Sequence, residues 1–183
     1  MQIAYAQVGI KADRCALRVE QAEVGYCADV GILFNGSDRG SVLGCVVREN
    51  STGIRFELVT GGEIRECVVQ DNTDKGIECK TSSPDIEDNL IQRNGWGIYC
   101  WYSASAAIQW NTLLDQVIGA IGQFEGCFSE IAGNLVIQHR GDGIVMGRGG
   151  YSGPRIGGNN LLSVSDGYAI KRSPANCWSL VLS

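Results

Sequence analysis

Side chains that could bind or transform a sugar are concentrated between Arg55 and Trp101. Aromatic faces bind pyranose rings, carboxylates bind hydroxyl groups or transfer protons, and basic groups bind uronate acids. The residues that we expect to bind carbohydrate are Trp96, Tyr99, Trp101 and Arg55. The catalytic candidates, if the protein is an enzyme, are Glu57, Glu78, Lys75 and Lys80.

The chain offers no motif for a metal ion or a cofactor. His139 is the only histidine and no Cys-x-x-Cys motif occurs, so a zinc site lacks its usual ligands. The glycine-rich run from Gly147 to Gly150 is not followed by a helical pattern, which a phosphate-binding loop requires. We therefore expect neither a metal nor a cofactor.

A repeat that runs through nearly the whole chain must position these side chains. A glycine followed by another small or apolar residue recurs every 21 to 24 residues: Gly9-Ile10, Gly31-Ile32, Gly53-Ile54, Gly76-Ile77, Gly97-Ile98, Gly119-Ala120, Gly143-Ile144 and Gly167-Tyr168. A spacing of two puts the next set on the same face of a strand: Ala12, Phe34, Phe56, Cys79, Cys100, Gly122, Met146 and Ile170. These anchors indicate eight structural repeats.

Each repeat also contains a second strand with fixed inward positions. Its first series is Val19, Val42, Ile64, Ile86, Ile108, Ile131 and Ile156. Three residues later come Ala22, Cys45, Cys67, Asn89, Asn111, Asn134 and Asn159, and two residues after those come Val24, Val47, Val69, Ile91, Leu113, Val136 and Leu161. We expect the asparagines to form an internal ladder, because a buried amide needs hydrogen-bond partners. Another corner is marked by Asn50, Asn72 and Asn94.

Stacking these repeats predicts an all-β fold, a right-handed parallel β-helix of about eight coils with a period of about 22 residues. A leucine-rich repeat has a similar period, but leucine is too scarce here and the Gly-Ile strand has no place in that repeat. We expect one domain over residues 1–183. Residues 1–7 form a short lead-in, and the tail at 171–183 covers one end of the rod.

Two motifs of the chain resemble a known superfamily. They are Ile64-x-x-Cys67-Val68-Val69-x-x-Asn72-x-x-x-Gly76-Ile77 and Ile86-x-x-Asn89-Leu90-Ile91-x-x-Asn94-x-x-Gly97-Ile98. They resemble the parallel β-helix repeats of the pectate-lyase-like superfamily, and most of all the carbohydrate-binding and sugar-hydrolase repeats that also occur in NosD-like periplasmic proteins. The resemblance covers about Val8 to Ile170 and implies this fold. The superfamily contains lyases, hydrolases, epimerases, adhesins and non-catalytic proteins, so it implies no single activity.

Catalytic sites in the resembled superfamily lie on the outer face of a parallel sheet, which makes the outward positions the important ones. One predicted outward column is Leu33, Arg55, Glu78, Tyr99, Ile121, Val145 and Ala169, and the next is Asn35, Glu57, Lys80, Trp101, Gln123, Gly147 and Lys171. Stacking would place Arg55 over Glu78 and Glu57 over Lys80. Such pairs fit a sugar site, and they also fit a ladder of opposite charges that contributes less than about 1 kcal/mol per exposed pair. Both interpretations stay open.

Composition and cysteine placement limit partners and location. The 15 Lys and Arg against 20 Asp and Glu give a net charge of −5, which disfavours nucleic acid and anionic membrane surfaces. No apolar run approaches the roughly 20 residues of a membrane helix, and no signal peptide is visible. Four cysteines fall at equivalent inward positions of neighbouring coils: Cys45 with Cys67, and Cys79 with Cys100. Buried, reduced thiols favour a cytoplasmic protein, or a secreted one if the N-terminus is processed or trimmed.

The sequence therefore predicts a carbohydrate-associated β-helix module that binds a polysaccharide or oligosaccharide without turning it over, or a structural β-helix module whose outer face meets another subunit. The alternative is a polysaccharide-active enzyme, a lyase or glycoside hydrolase, with its site on the outer face of a parallel sheet. We also expect a homo-oligomer, because the predicted outward columns become apolar at Ile118, Ile121 and Val145.

Overall fold

The computed structural model describes residues 1–147 and 153–172, and within those residues the chain contains 23 strands and no helix. In chain order the strands are β1 (Gln2–Ala4), β2 (Val8–Asp13), β3 (Leu17–Glu20), β4 (Glu23–Gly25), β5 (Val30–Asn35), β6 (Gly40–Leu43), β7 (Val46–Arg48), β8 (Thr52–Glu57), β9 (Gly62–Arg65), β10 (Val68–Gln70), β11 (Lys75–Lys80), β12 (Asp85–Glu87), β13 (Leu90–Gln92), β14 (Trp96–Trp101), β15 (Ala107–Gln109), β16 (Thr112–Leu114), β17 (Gly119–Gln123), β18 (Glu130–Ala132), β19 (Leu135–Gln138), β20 (Asp142–Met146), β21 (Arg155–Gly157), β22 (Leu161–Val164) and β23 (Ile170–Arg172).

These strands form three parallel sheets, and the chain visits them in the order A, B, C in each coil. Sheet A contains β1, β4, β7, β10, β13, β16, β19 and β22, sheet B contains β2, β5, β8, β11, β14, β17, β20 and β23, and sheet C contains β3, β6, β9, β12, β15, β18 and β21. Each strand pairs in register with its copy one coil later, as Ile32 pairs with Ile54 and Phe34 with Phe56. The predicted parallel β-helix of about eight coils is confirmed.

The core consists of inward side chains that stack on their own copies. Ile54, Ile77 and Ile98 are fully buried in one column of sheet B. The rings of Phe34 and Phe56 are fully buried as well, with centroids 4.8 Å apart. Because equivalent side chains meet at the strand spacing, each coil removes the apolar surface of the next from water.

Corners between sheets A and B use a left-handed backbone residue other than glycine in six consecutive coils: Tyr5, Tyr26, Glu49, Asp71, Arg93 and Asp115. This conformation costs about 1–2 kcal/mol for an ordinary residue. It also directs the corner N–H along the rod, so that Asp71 N donates to Gln92 O at 3.2 Å and Arg93 N donates to Leu114 O at 3.0 Å. The repeat pattern marked this corner only by Asn50, Asn72 and Asn94 and gave no signal for the left-handed residues.

Two internal amide ladders hold the corners of sheet A. The predicted ladder at the corner between sheets C and A is confirmed for Asn89, Asn111 and Asn134, each of which accepts hydrogen bonds from the preceding coil. The second ladder, at the corner between sheets A and B, consists of Asn50, Asn72, Asn94, Gln116 and Gln138. Its members are at most 2% exposed, so these amides are structural rather than free to bind a ligand.

The position predicted for Asn159 in the first ladder was wrong by one residue. Asn160 takes it, and Asn160 Oδ1 accepts a hydrogen bond of 2.9 Å from Asn134 N. The predicted inward residue Leu161 is 63% exposed, and its neighbour Leu162 packs against the core instead. The physical reason is an extra corner residue, since both Gly158 and Asn159 have a positive φ.

The sixth coil also corrects the predicted columns. Ile121 pairs with Ile98 and is fully buried, so it lies inward rather than outward as predicted. Gln123 pairs with Cys100 and is likewise inward. The large β-branched side chain fills the core position that isoleucine holds in neighbouring coils, while Ala120 replaces the anchor glycine. One of the three apolar residues behind the predicted homo-oligomer is thus in the core, and the oligomer stays a prediction.

The last coil starts later than predicted. Ile170 pairs with Ile144, two positions from the alignment expected from Gly167-Tyr168, and Tyr168 is 62% exposed. Ala169, expected to point outward, takes the place of an anchor glycine instead, and its carbonyl accepts a hydrogen bond of 2.9 Å from Ile144 N. Residues 173–183, which hold most of the predicted end cap, lie outside the described residues, as do 148–152. Within the predicted lead-in, β1 pairs with β4.

Six of the seven described cysteines are buried, and none of the seven forms a disulfide: Cys15, Cys27, Cys45, Cys67, Cys79, Cys100 and Cys127. Cys15 alone among them is exposed. Burial raises the pKa of the Cys127 thiol to about 12, which keeps it protonated and unreactive at neutral pH. Cys177 lies outside the described residues. The inward columns predicted for Cys45, Cys67, Cys79 and Cys100 are confirmed.

The outer faces of the three sheets differ in chemistry. From the fourth coil onward the described outward residues of sheet A carry no charge: Val68, Gln70, Leu90, Gln92, Thr112, Leu114, Leu135, Ile137, Leu161 and Ser163. Sheet B carries charged and aromatic side chains over the same coils, and sheet C carries both signs of charge. No described helix is long and apolar enough to cross a membrane.

Candidate carbohydrate-binding site

Strand β14 places the three predicted aromatic residues on the outer face of sheet B. Inward positions of the strand go to Ile98 and Cys100, which are fully buried, and this alternation turns Tyr99 and Trp101 outward. Trp96 precedes the anchor glycine and also points outward. All three rings are half-buried, so each one packs on the sheet and keeps part of its surface in solvent.

Two further rings join them and were missed by sequence reasoning. Phe124 stacks on Tyr99 with centroids 4.9 Å apart and meets Trp96 edge-on at 5.6 Å. Tyr102 stacks on Trp101 at 4.4 Å and is 47% exposed. We call these five residues, Trp96, Tyr99, Trp101, Tyr102 and Phe124, the aromatic patch. The sequence held no signal for Phe124, because it follows the last residue of β17 and lies at a corner, where the alternation of a strand no longer gives the direction of a side chain.

Two glycines of the next coil leave space for rings of the aromatic patch. A Cβ atom on Gly119 would lie 2.6 Å from Trp96 Cζ3, and one on Gly122 would lie 2.7 Å from Phe124 Cε2. The indole and the phenyl ring therefore occupy the space of absent side chains and lie against the sheet. Any larger residue at these two positions would push the rings away from the sheet.

Glu78 is the most buried charged group at the site. Its carboxylate is hydrogen bonded to Arg55 Nε, and its other oxygen lies 3.7 Å from Lys75 Nζ. Only 3% of the Glu78 side chain is exposed, against 24% of Arg55. Lys75 also pairs with Asp74 at 2.5 Å. The predicted stacking of Arg55 over Glu78 is present, and it leaves this carboxylate between two cations.

Glu57 and Lys80 form the second pair of the site. Lys80 Nζ donates to Glu57 Oε1 at 2.6 Å and lies 5.3 Å from the Trp101 ring centroid. Lys75 Nζ has the equivalent place over Tyr99, at 5.2 Å. Each lysine thus contacts a carboxylate and also an aromatic ring of the next coil. The cation–π contact helps to hold that ring in place on the sheet.

Burial is the main reason why the pKa of Tyr99 is raised, and the nearby carboxylates of Glu125 and Glu78 raise it further. The phenol therefore stays protonated at neutral pH and can donate a hydrogen bond. Trp101 Nε1 is buried and finds no acceptor among the described residues. Within those residues no group of three or more His, Cys, Asp or Glu side chains could hold a metal ion.

Comparison with known proteins agrees with this architecture. The model of the right handed beta helix region matches residues 2–136 and, in a second alignment, residues 30–176. The chain belongs to this family. A search of curated proteins gave no match.

A solved β-helix structure is similar to this one over most of the chain. It is the A-module of the mannuronan C-5 epimerase AlgE4 from Azotobacter vinelandii, with a TM-score of 0.55 and 14% sequence identity. The alignment covers 97% of this chain and 62% of that one, so this β-helix spans less than two thirds of the epimerase module. At this identity the likeness shows the shared fold alone.

Proposed function

We propose that the protein binds a polysaccharide or oligosaccharide through the aromatic patch. The observation that carries this proposal is the set of five adjoining rings on one outer face, with partly exposed Trp96, Tyr99 and Trp101 in consecutive outward positions. Sugar rings present apolar C–H faces that pack on aromatic side chains, and their hydroxyl groups need nearby polar partners. Lys75 and Lys80, with the exposed or partly exposed carboxylates of Asp74 and Glu57, supply those partners.

Binding without turnover fits the charges at the site better than catalysis does. A general acid or base must exchange a proton with the substrate, and a nucleophilic carboxylate must reach it. Glu78 is held by Arg55 and almost fully buried, and Glu57 is held by Lys80. An enzyme that used either carboxylate would first have to break its ion pair.

A glycan array tests the proposal directly. We expect the wild-type protein to bind at least one class of glycan, and the substitution Trp101→Ala to weaken that binding strongly. Trp110→Ala is the matched control, because Trp110 is 58% exposed and covers Gly133, yet lies outside the aromatic patch. Equal binding by both variants and the wild type would reject the aromatic patch as the site.

Product analysis on any bound glycan separates a binding module from an enzyme. A binding module releases the glycan unchanged, whereas a lyase leaves unsaturated products, a hydrolase leaves shorter chains and an epimerase changes the uronate composition. Turnover that disappears in Glu78→Gln would replace the binding proposal with a catalytic one.

A further inference from the structure

A groove of about 600 Å³ crosses the outer face of sheet C, away from the aromatic patch. It runs along the rod from the first coil to the fourth. The residues that line it are Ala16, Leu17, Arg18, Arg39, Gly40, Ser41, Gly61, Gly62, Glu63 and Asp85. We call it the glycine groove, since its floor consists largely of backbone at Gly40, Gly61 and Gly62.

The core beneath explains why two of these residues are glycine. A Cβ atom on Gly40 would lie 2.6 Å from the ring of Phe34, and one on Gly62 would lie 3.0 Å from the ring of Phe56 and 2.3 Å from Gly40 O. The absent side chains therefore make room for the two buried phenylalanine rings on the core side of sheet C. On the outer side, the chain presents only backbone at these two positions.

The charged residues of the glycine groove are not distributed evenly. Arg18 and Arg39 lie in the first two coils, and Glu63 and Asp85 lie in the third and fourth. Two strand spacings, about 10 Å, separate the coil of Arg39 from that of Asp85. The groove therefore has a cationic end and an anionic end.

One cation in the glycine groove has no partner among the described residues. Arg18 pairs with Glu20. Glu63 is bound by Ser41 Oγ at 2.9 Å and by Arg65 at 3.2 Å, and Asp85 lies 3.9 Å from the same arginine. The side chain of Arg39 is exposed and makes no hydrogen bond or ion pair with any described residue. Its guanidinium is thus available to a ligand anion, with five N–H donors in a planar array that suits a carboxylate.

We propose that the glycine groove binds a short acidic oligosaccharide, as a second site independent of the aromatic patch. Arg39 holds a uronate carboxylate at the cationic end. Hydroxyl groups of the following sugar donate to Asp85 and to the free lone pairs of Glu63 at the other end. The volume lies within the roughly 300–1,000 Å³ of ligand sites, and the bare backbone floor lets a sugar ring approach closely.

A peptide fits the groove less well than a sugar. Strands β6 and β9, which form the floor, are paired on both sides and offer a peptide backbone no free ladder to join; among the strands that line the groove only β3, at the first coil, has a free edge. The lining also lacks an apolar pocket for a side-chain anchor, since Leu17 is its only large apolar residue. Hydroxyl groups match the two carboxylates at the anionic end, because each carboxylate oxygen accepts several hydrogen bonds.

Isothermal titration with trisaccharides of galacturonate, glucuronate and mannuronate tests the site, with carboxyl-reduced trisaccharides as neutral probes. We expect at least one acidic trisaccharide to bind and its neutral counterpart not to bind. Arg39→Ala should weaken binding about tenfold or more, as the loss of a charge-assisted hydrogen bond implies. Arg14→Ala is the matched control, because Arg14 is exposed and equally unpaired among the described residues but lies outside the groove.

The proposal is overturned if none of the acidic trisaccharides binds at millimolar concentration, if neutral ones bind equally well, or if Arg14→Ala weakens binding as much as Arg39→Ala. An acidic peptide that binds more tightly than every trisaccharide would also overturn it. Substituting Trp96, Tyr99 and Trp101 by alanine should leave this binding unchanged, which keeps the outcome separate from that of the aromatic patch.

Discussion

The amide ladder at the corner of sheets A and B and the aromatic patch on sheet B are both columns of equivalent positions in stacked coils, yet they differ in how their residues vary. The ladder repeats one chemistry over five coils, with Asn50, Asn72 and Asn94 followed by two glutamines. The column through Tyr99 changes at every coil: Leu33, Arg55, Glu78, Tyr99, Gly122 and Val145.

The difference distinguishes buried residues that every coil requires for stability from surface residues that can change from coil to coil. A ladder amide is buried and must donate and accept within the ladder, so a change in one coil leaves a partner unsatisfied in the next. An outward side chain contacts its neighbours at a surface that water also reaches, which allows each coil its own chemistry. We infer that repeated columns stabilise the rod and that the variable column of sheet B holds its binding function.

Breaking the ladder should have the largest effect on stability. Asn72 Nδ2 donates to Asn94 Oδ1 at 2.9 Å, and Asn72 Oδ1 accepts from both amide groups of Asn50. Asn72→Ala leaves these buried groups unpaired and should lower the free energy of unfolding by about 3 kcal/mol. Urea unfolding measures this, and Asn35→Ala is the control, since its amide bonds Asp13 on the exposed surface. A loss as small as that of the control would contradict the account.

Breaking the ion pair beneath the aromatic patch should have an intermediate effect. Glu78→Ala leaves the half-buried Arg55 uncompensated and should destabilise the protein by about 2 kcal/mol, less than for a fully buried pair because water partly reaches the guanidinium. Asp71→Asn removes the charge that pairs with Arg93 at an exposed corner, keeps a residue type that tolerates the left-handed backbone, and should change stability by less than about 1 kcal/mol. Equal losses in the two variants would show that Glu78 is no more structural than a surface residue.

The smallest effect should come from the exposed corner pair of Asp115 and His139. His139 Nδ1 lies 2.6 Å from Asp115 Oδ1, and its hydrogen bonds lower the pKa of that carboxyl group. A lowered pKa stabilises the fold above the unfolded value near 3.9, and the contribution disappears as the pH falls through the folded pKa. Asp115→Asn should therefore cost less than about 0.5 kcal/mol at neutral pH and nothing in strong acid. Unfolding curves between about pH 2 and pH 7, which span that titration, would contradict this if the difference grew toward low pH.

The repeat made most of the fold predictable. Regularly spaced Gly-Ile anchors placed Ile32, Ile54, Ile77 and Ile98 in one inward column, and their registers are confirmed. The predicted register was wrong where two neighbouring dipeptides could both serve as the anchor of a coil. In the sixth coil Gly119-Ala120 and Ala120-Ile121 both read as an anchor, and only the packing of Ile121 against Ile98 and Ile144 decides between them.

Parts of the site could not be read from the pattern. The second ladder was recognised only as a corner, because Gln116 and Gln138 replace asparagine and hide its continuation. Phe124 and Tyr102 lie at a corner, where the residue-to-position relation of a strand no longer holds, so their contacts with Tyr99 and Trp101 depend on the folded backbone. Gly40 and Gly62 of the glycine groove are explained by the two buried phenylalanines that they contact, a packing effect that no outward column reveals.

The most direct test of the central claim is a calorimetric titration of the glycan selected on the array with the triple variant Trp96→Ala, Tyr99→Ala, Trp101→Ala. Circular dichroism should show that the variant keeps its β-sheet, because the ladders and the core column are untouched, while binding falls below detection. Tyr102→Ala gives the same test at the exposed edge of the aromatic patch. Because Tyr102 is 47% exposed, its loss should remove fewer packing contacts than the triple substitution does. Unchanged affinity in a folded triple variant would contradict the assignment of binding to this variable column.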